Sequence, residues 1–150
     1  MYKRSLVFFC LVGTAGLLHL GCSAGGAGRT PVTFVQGQAS DWRVLEVHDA
    51  LDAKKAWQTT VDTVALKLDL ETLDETSGYI RTSWKTGYGF RPGQAGYTYY
   101  KVRALVKFEP GFKRVRIKTE AEFNGLLGYD KRLLEDLYSD VQGRIGRTVK

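Results

Sequence analysis

The sequence predicts an α+β fold, in which an antiparallel β-sheet of four to five strands is packed on one face by two helices, in the order β-α-β-β-β-β-α. Three observations predict it. A helical apolar period runs through residues 53–66, an alternating period of two dominates residues 66–123, and the helical period returns after Asn124-Gly125. Because each layer buries one apolar face, both helices are expected on the same face of the sheet.

The first residues have the pattern of an export signal. Lys3 and Arg4 precede an apolar run over residues 6–20, which is shorter than the roughly 20 residues that a membrane span needs. A buried or permanently anchored N-terminal helix is the alternative. Small residues follow the run directly and favour cleavage, so residues 1–21 are predicted to be a signal peptide.

The segment Leu18-His19-Leu20-Gly21-Cys22 resembles the lipobox of bacterial lipoproteins. In that family a small residue precedes a cysteine that is acylated and becomes the new N-terminus, so the resemblance implies lipidation of Cys22. His19 replaces the preferred leucine, which leaves ordinary signal peptidase cleavage as the alternative. Ser23, in place of aspartate, is typical of sorting to the outer membrane. The implied location is the bacterial outer membrane, with the domain in the periplasm.

Removal of residues 1–21 leaves 20 basic residues against 16 acidic ones, a net charge of +4, and Cys22 as the only cysteine. No intramolecular disulfide is then possible. Residues 22–41 are small and polar, and they bury too little surface to offset their ordering entropy. They are predicted to form a flexible tether, with Thr33-Phe34-Val35 as a candidate edge strand. The single folded domain is predicted to be residues 42–150.

The helices and strands of this domain are predicted in chain order from the apolar periods. Residues 42–47 are predicted to form a strand, and Asp49 or Asp52 to cap the helix over residues 53–66. Alternation over residues 66–71 and 80–84 predicts a hairpin around the turn at residues 74–78. Trp57, Ile80 and Trp84 are predicted to lie in the core.

The second half of the domain is predicted to contain a longer hairpin and the last helix. Residues 87–96 are rich in glycine and are predicted to form a loop. Strands are expected over residues 97–108 and 113–123, joined by a type II turn at Pro110-Gly111, since proline fixes the first φ and glycine accepts the positive second φ. The last helix carries one apolar stripe, formed by Leu134, Leu137, Val141 and Ile145.

Catalysis, metal binding and cofactor binding are not expected. After residue 21 the chain has one histidine, His48, and no cysteine beyond Cys22, so a Cys/His zinc site and a thiol nucleophile are excluded. Within residues 22–150 no Gly-x-Ser-x-Gly motif is present. Four carboxylates could suggest glycosidase chemistry, but they fall on a solvent-facing strand side and a turn: Asp69, Glu71, Asp74 and Glu75. A solvated acidic face is the simpler interpretation.

One face of the long hairpin is predicted to be basic. A two-residue turn at Pro110-Gly111 places Lys107 opposite Arg114 and Arg103 opposite Lys118, two like-charge pairs that oppose strand pairing. An anionic partner such as phosphate-bearing lipid would reduce the repulsion within these pairs. The alternative is that this basic face is simply solvated. The candidate contact residues are Lys101, Arg103, Lys107, Arg114, Arg116 and Lys118. Nucleic acid is not expected as a partner of an exported lipoprotein.

The glycine-rich segment is also rich in aromatic residues. Tyrosine gives contact area at low entropic cost in protein interfaces, and glycine supplies mobility. This segment is therefore a candidate partner-binding site, and a flexible hairpin connection is the alternative. The residues concerned are Tyr88, Phe90, Tyr97 and Tyr99.

The element order and a few apolar and turn positions resemble the helix-grip domains of the NlpB/DapX (BamC) outer-membrane lipoproteins, accessory subunits of the machinery that inserts outer-membrane barrels. The resemblance covers about residues 42–147 and rests on Trp57, Leu68, Asp74, Gly78, Ile80, Thr82 and Trp84. It implies a helix-grip fold and a non-catalytic accessory lipoprotein of the envelope, bound to an envelope protein. The alternative function is a periplasmic binding module for a lipid or amphiphile, held between the sheet and the C-terminal helix.

Overall fold

The computed structural model describes the backbone of residues 33–90 and 97–147 and the side chains of residues 33–87 and 99–147. The predicted α+β class is confirmed, with an antiparallel sheet and two helices, and the sheet has more strands than the four to five expected. The elements are β1 (Phe34–Gln36), β2 (Arg43–Glu46), α1 (Ala53–Ala65), β3 (Leu70–Asp74), β4 (Tyr79–Thr82), β5 (Lys85–Phe90), β6 (Tyr97–Phe108), β7 (Arg114–Phe123), β8 (Leu126–Asp130) and α2 (Lys131–Ile145).

The sheet is built on the long β6–β7 hairpin. Its main order is β1-β8-β7-β6-β4-β3, with β2 also pairing β7 and β5 also pairing β6. Each central strand therefore has two short neighbours along its outer side. Between them, the Thr82 hydroxyl accepts from the Ala104 amide at 2.9 Å, and the Ser40 hydroxyl accepts from the Thr119 amide at 3.0 Å. These side chains satisfy buried backbone groups that would otherwise lack partners.

Both helices pack on one face of the sheet, as predicted. The Asp52 carboxylate caps α1 by accepting from the Lys55 amide at 2.7 Å, and Asp130 caps α2 in the same way. The buried core joins the apolar stripes of the helices to one face of the hairpin, with Trp57 and Ile80 included, as expected. Trp84 is not in this core, which contradicts the prediction for that residue.

Three predicted boundaries are wrong. The strand expected from Leu66 begins at Leu70, because backbone bonds from Leu66 to Asp62 and from Leu68 to Val64 continue the helical turn. The loop expected at residues 87–96 begins later, because β5 extends to Phe90 in register with β6.

The third boundary concerns the residues after Asn124-Gly125, where a helix was expected and β8 is found. Asn124 and Gly125 have φ of 50° and 74°, the positive values that a two-residue hairpin turn needs. The chain therefore returns along β7 as a strand, and α2 begins only at Lys131.

The predicted tether at residues 22–41 is partly ordered. β1 pairs with β8, and Phe34 stacks on Phe123 with ring centroids 5.7 Å apart. The candidate edge strand at residues 33–35 is therefore real, and the described fold begins at Thr33 instead of residue 42. Residues 22–32 of the predicted tether, with Cys22, and the predicted signal peptide lie outside the described residues.

Gly128 makes the pairing of β1 possible. A Cβ atom at this position would lie 2.0 Å from the Val35 carbonyl oxygen and 2.6 Å from the Phe34 ring. We expect Gly128→Ala to displace β1 and to lower the free energy of unfolding by about 1–3 kcal/mol. Hydrogen exchange at residues 34–36 and urea unfolding measure the effect. Gly143→Ala in α2, where nothing lies within 4 Å, is the control. Unchanged protection of residues 34–36 in the Gly128 variant would contradict this role.

Candidate functional site

The face of the sheet opposite the helices is the candidate site. We call it the open face, because no described helix covers it, and define it by the β6 and β7 side chains that alternate with the core residues. Its residues on these strands are Lys101, Arg103, Leu105, Lys107, Arg114, Arg116, Lys118, Glu120 and Glu122. Each of these side chains lies on the face of the sheet that was predicted for it, but the cross-strand partners within the hairpin differ from the predicted ones.

The register differs from the prediction by two residues because the turn is longer. The Pro110-Gly111 turn forms as expected: the Glu109 carbonyl accepts from the Phe112 amide, and Gly111 has a φ of 82°. Phe112 then adds a second left-handed residue with a φ of 57°. The strands pair again only at Glu109 and Arg114. An even shift leaves every side chain on its predicted face and changes only its partner.

Two of the four new cross-strand pairs on this face are of opposite charge. Arg103 lies opposite Glu120, with their charged atoms 2.6 Å apart, and Lys101 lies opposite Glu122 at 2.8 Å. The predicted like-charge pairs Lys107–Arg114 and Arg103–Lys118 are therefore wrong.

One like-charge pair remains across the strands, Lys107 opposite Arg116. The Glu109 carboxylate lies beside it and binds both Arg114 and Arg116. Five of the six predicted cations form ion pairs with three carboxylates, Glu109, Glu120 and Glu122, while Glu46 lies opposite Arg114 and Asp74 interacts electrostatically with Lys107. We infer that the open face is a mosaic of charges with a residual positive excess, rather than a uniformly basic surface.

The ion pairs shift the pKa values of two carboxyls. Burial alone would raise the pKa of Glu120, but hydrogen bonds from Arg103 and Lys118 outweigh it and hold the pKa below the usual 4.5. A hydrogen bond from Arg116 is the main cause of the lowered pKa of Glu109. Both carboxylates therefore favour the folded state in their charged form.

Acidification is expected to weaken the fold through these groups. Because the folded pKa of Glu120 lies below the unfolded value of 4.5, its contribution is present above pH 4.5 and is lost as the pH falls through the folded value. We expect the urea midpoint to fall between pH 7 and pH 3, and to fall less in Glu120→Gln. An equal fall in the parent and this variant would contradict the role of Glu120.

Two tryptophans lie under the cations of the open face. Trp84 lies beneath Arg103, with the guanidinium carbon 4.5 Å from the ring centroid, and Lys101 is at 5.0 Å. Trp42, 37% exposed, lies beneath Lys118 at 5.0 Å. A cation over an indole is attracted by the ring quadrupole, so these contacts hold both partners in place.

The displacement of Trp84 from the core has a local cause. Thr82 and Lys85 lie on the helix side, since Thr82 is buried against Ala104 and Lys85 pairs with Val102. The bend between β4 and β5 therefore shifts the alternation by one residue and sends Trp84 to the open face. Neither indole was predicted to belong to the site, and no sequence signal marked the bend.

A small pocket lies beside Trp42 on the open face. Its volume is about 280 Å³, and Trp42, Lys107, Pro110 and Arg116 are among its lining residues. It therefore combines an exposed indole with the one like-charge pair of the hairpin. Glu109 also lines the pocket and already pairs with Arg116, so the exposed indole is the part of the pocket that suits an aromatic group of a partner.

The aromatic segment is more ordered than predicted. The backbone register places Tyr88 opposite Tyr99 and Phe90 opposite Tyr97, so the four residues form two cross-strand pairs instead of a loop. Tyr99 is 48% exposed. The side chains of Tyr88, Phe90 and Tyr97 lie outside the described residues, and their partner contact stays a prediction.

The remaining polar groups have local structural roles. The His48 Nδ1 accepts from the Ala50 amide at 3.1 Å, Glu71 pairs with Arg81, and Asp74 accepts from the Ser77 amide. Within residues 33–90 and 97–147, no cluster of three metal-ligating side chains occurs. No helix in that same part of the chain is long and apolar enough to cross a membrane.

No protein-family model matches this chain. A search of curated proteins likewise found no match.

Proposed function

We propose that this chain is a non-catalytic lipoprotein of the bacterial envelope, tethered to the outer membrane through acylated Cys22, which binds a protein partner through the open face of its sheet. An accessory role in outer-membrane assembly is part of the proposal, and it rests on the resemblance to the helix-grip lipoproteins. The observation that carries the binding role is the pair of indoles, Trp42 and Trp84, held beneath cations on a sheet face that no described helix covers.

The residue types on the open face support a protein partner. Tryptophan and arginine are the residues most enriched at the energetic centres of protein interfaces. Their side chains here are already ordered, by ion pairs to Glu120 and Glu109 and by the stacked indoles, so less entropy is lost on binding. The pocket beside Trp42 is suited to an aromatic side chain of the partner.

The mixed charge of the open face favours a protein over a bare anionic bilayer. Each cation near such a bilayer adds roughly 1 kcal/mol, but carboxylates on the same face oppose the approach. Lys107, for which no ion pair is found in the described part of the chain, and the like-charged Arg116 opposite it remain the best candidates for contact with anionic headgroups.

Affinity purification of the lipidated protein from envelopes tests this proposal. We expect Trp42→Ser with Trp84→Ser to reduce the co-purifying partner at least tenfold, since each buried interface tryptophan typically contributes about 2 kcal/mol or more. The matched control is Leu66→Ser with Leu73→Ser, which removes apolar side chains that are 72% and 50% exposed on the helix side of the sheet. Equal partner recovery with both double variants would refute the role of the open face.

A further inference from the structure

A groove lies on the helix side of the sheet, away from the open face. It is formed by the turn after α1, by β5 and β6, and by the first turn of α2. The described lining residues are Leu66, Lys67, Leu68, Lys85, Thr86, Gly87, Tyr100, Val102 and Leu133. The groove therefore lies mainly between the end of α1, the start of α2 and the paired strands β5 and β6. Leu133 is the only α2 residue among the described lining residues.

The lining is apolar with a cationic rim. Leu68 and Val102 are buried, whereas Leu66 is 72% exposed, an unusual state for a leucine beside an apolar groove. The only charged groups among the described lining residues are the ammonium groups of Lys67 and Lys85. Because apolar surface and positive charge meet there, the groove is complementary to a ligand with an apolar chain and an anionic end.

The two lysines are held at the rim by the protein itself. The Lys85 ammonium donates to the Lys67 carbonyl at 3.1 Å, and the Lys67 ammonium pairs with Asp140 at 3.0 Å. Both members of the Lys67–Asp140 pair are partly exposed, and such pairs contribute little to stability. An anionic headgroup can therefore bind the two ammonium groups without disrupting the fold.

The shape of the groove indicates a small ligand. Its volume is about 560 Å³, within the roughly 300–1,000 Å³ that small-molecule sites span. Tyr100 lines the groove, and its hydroxyl donates to the Asp130 carboxylate at 2.9 Å. Burial and the neighbouring Asp130 raise the pKa of Tyr100, so it stays a neutral phenol. No carboxylate is among the described lining residues.

We propose that this groove binds a single-chain anionic amphiphile of the fatty-acid type, with its headgroup on Lys67 and Lys85 and its chain along Leu66, Leu68, Val102 and Leu133. This site adds a ligand function to the proposed partner function and does not depend on it, because the two sites lie on opposite faces of the sheet.

Titration calorimetry with decanoate tests the site, using the unacylated chain from Ser23 to Lys150, which contains every described residue. We expect decanoate to bind at least tenfold more tightly than decanol, which has the same chain without the charge. Lys67→Gln with Lys85→Gln should remove most of this preference, while Lys54→Gln with Lys55→Gln, at the other end of α1, should keep it. The proposal is overturned if the first double variant retains the preference.

A second variant tests the apolar wall. Leu66→Glu places a negative charge in the groove and should weaken decanoate binding at least tenfold. Leu73→Glu, an equal change at a residue 50% exposed on β3, should not weaken it. Both leucines are exposed, so the urea midpoints of the two variants should match that of the parent. Equal decanoate binding by the two variants would refute the groove, whereas partner capture through the open face should be unaffected by either.

Discussion

Phe108→Ala is expected to lower the free energy of unfolding by about 3–5 kcal/mol, the usual effect of removing a fully buried phenylalanine. Phe108 is 2% exposed, and its ring lies 5.9 Å from that of Trp57 and 4.9 Å from that of Phe112. It thus joins the end of β6 to helix α1 and to the hairpin turn. Gly78, where a Cβ would lie 2.8 Å from that of Phe108, packs against the same residue.

Urea unfolding of the parent and the variant measures this effect. Leu73→Ala, on the same side of the molecule but half exposed, is the control and should cost less than about 1 kcal/mol. A loss of less than 1 kcal/mol for Phe108→Ala would show that the contact between the sheet and α1 contributes little to the core.

Cys22→Ser is expected to release the protein from the membrane. A single acyl chain gives only marginal binding, with an association constant of about 10⁴ M⁻¹, whereas two or more chains give stable anchoring. The predicted lipidation would supply such chains at Cys22, so its loss should move most of the protein from the membrane fraction to the soluble fraction. Intact mass of the parent should show the acyl groups.

The matched control for this experiment is Cys10→Ser. Cys10 lies within the predicted signal peptide and is absent from the predicted mature chain, so its substitution should leave membrane fractionation unchanged. An unmodified thiol on the mature parent, or equal membrane fractions for the parent and Cys22→Ser, would exclude the lipid anchor.

The helices and the central hairpin could be predicted because their burial is periodic. The stripe of Leu134, Leu137 and Val141 defines α2, and alternation along β6 and β7 separates the core face from the open face. These patterns reflect which side of an element meets the core. They do not depend on where a turn ends, so a wrong prediction of the strand register leaves them unchanged.

The partners on the open face could not be predicted for the same reason. The extra left-handed residue at Phe112 changed the register, and with it the neighbour of Arg103 from Lys118 to Glu120. The bend before Lys85 places the Trp84 side chain on the open face instead of in the core. β5 could not be predicted because glycine weakens a strand and is more typical of a loop, yet the backbone from Lys85 to Phe90 pairs with β6.

The short strand β1 also affects the mechanics of a chain that is pulled from its N-terminal side. β1 pairs with β8 over only three residues at the edge of the sheet, so a load at Thr33 acts on these few bonds before it reaches the core. Detachment of residues 33–39, as far as the buried Ser40 that binds Thr119, would release roughly 23 Å of extended chain, at about 3.3 Å per residue. If the chain is anchored at Cys22 as proposed, detachment of this strand would let the domain move farther from the membrane while the helices and the central hairpin stay folded.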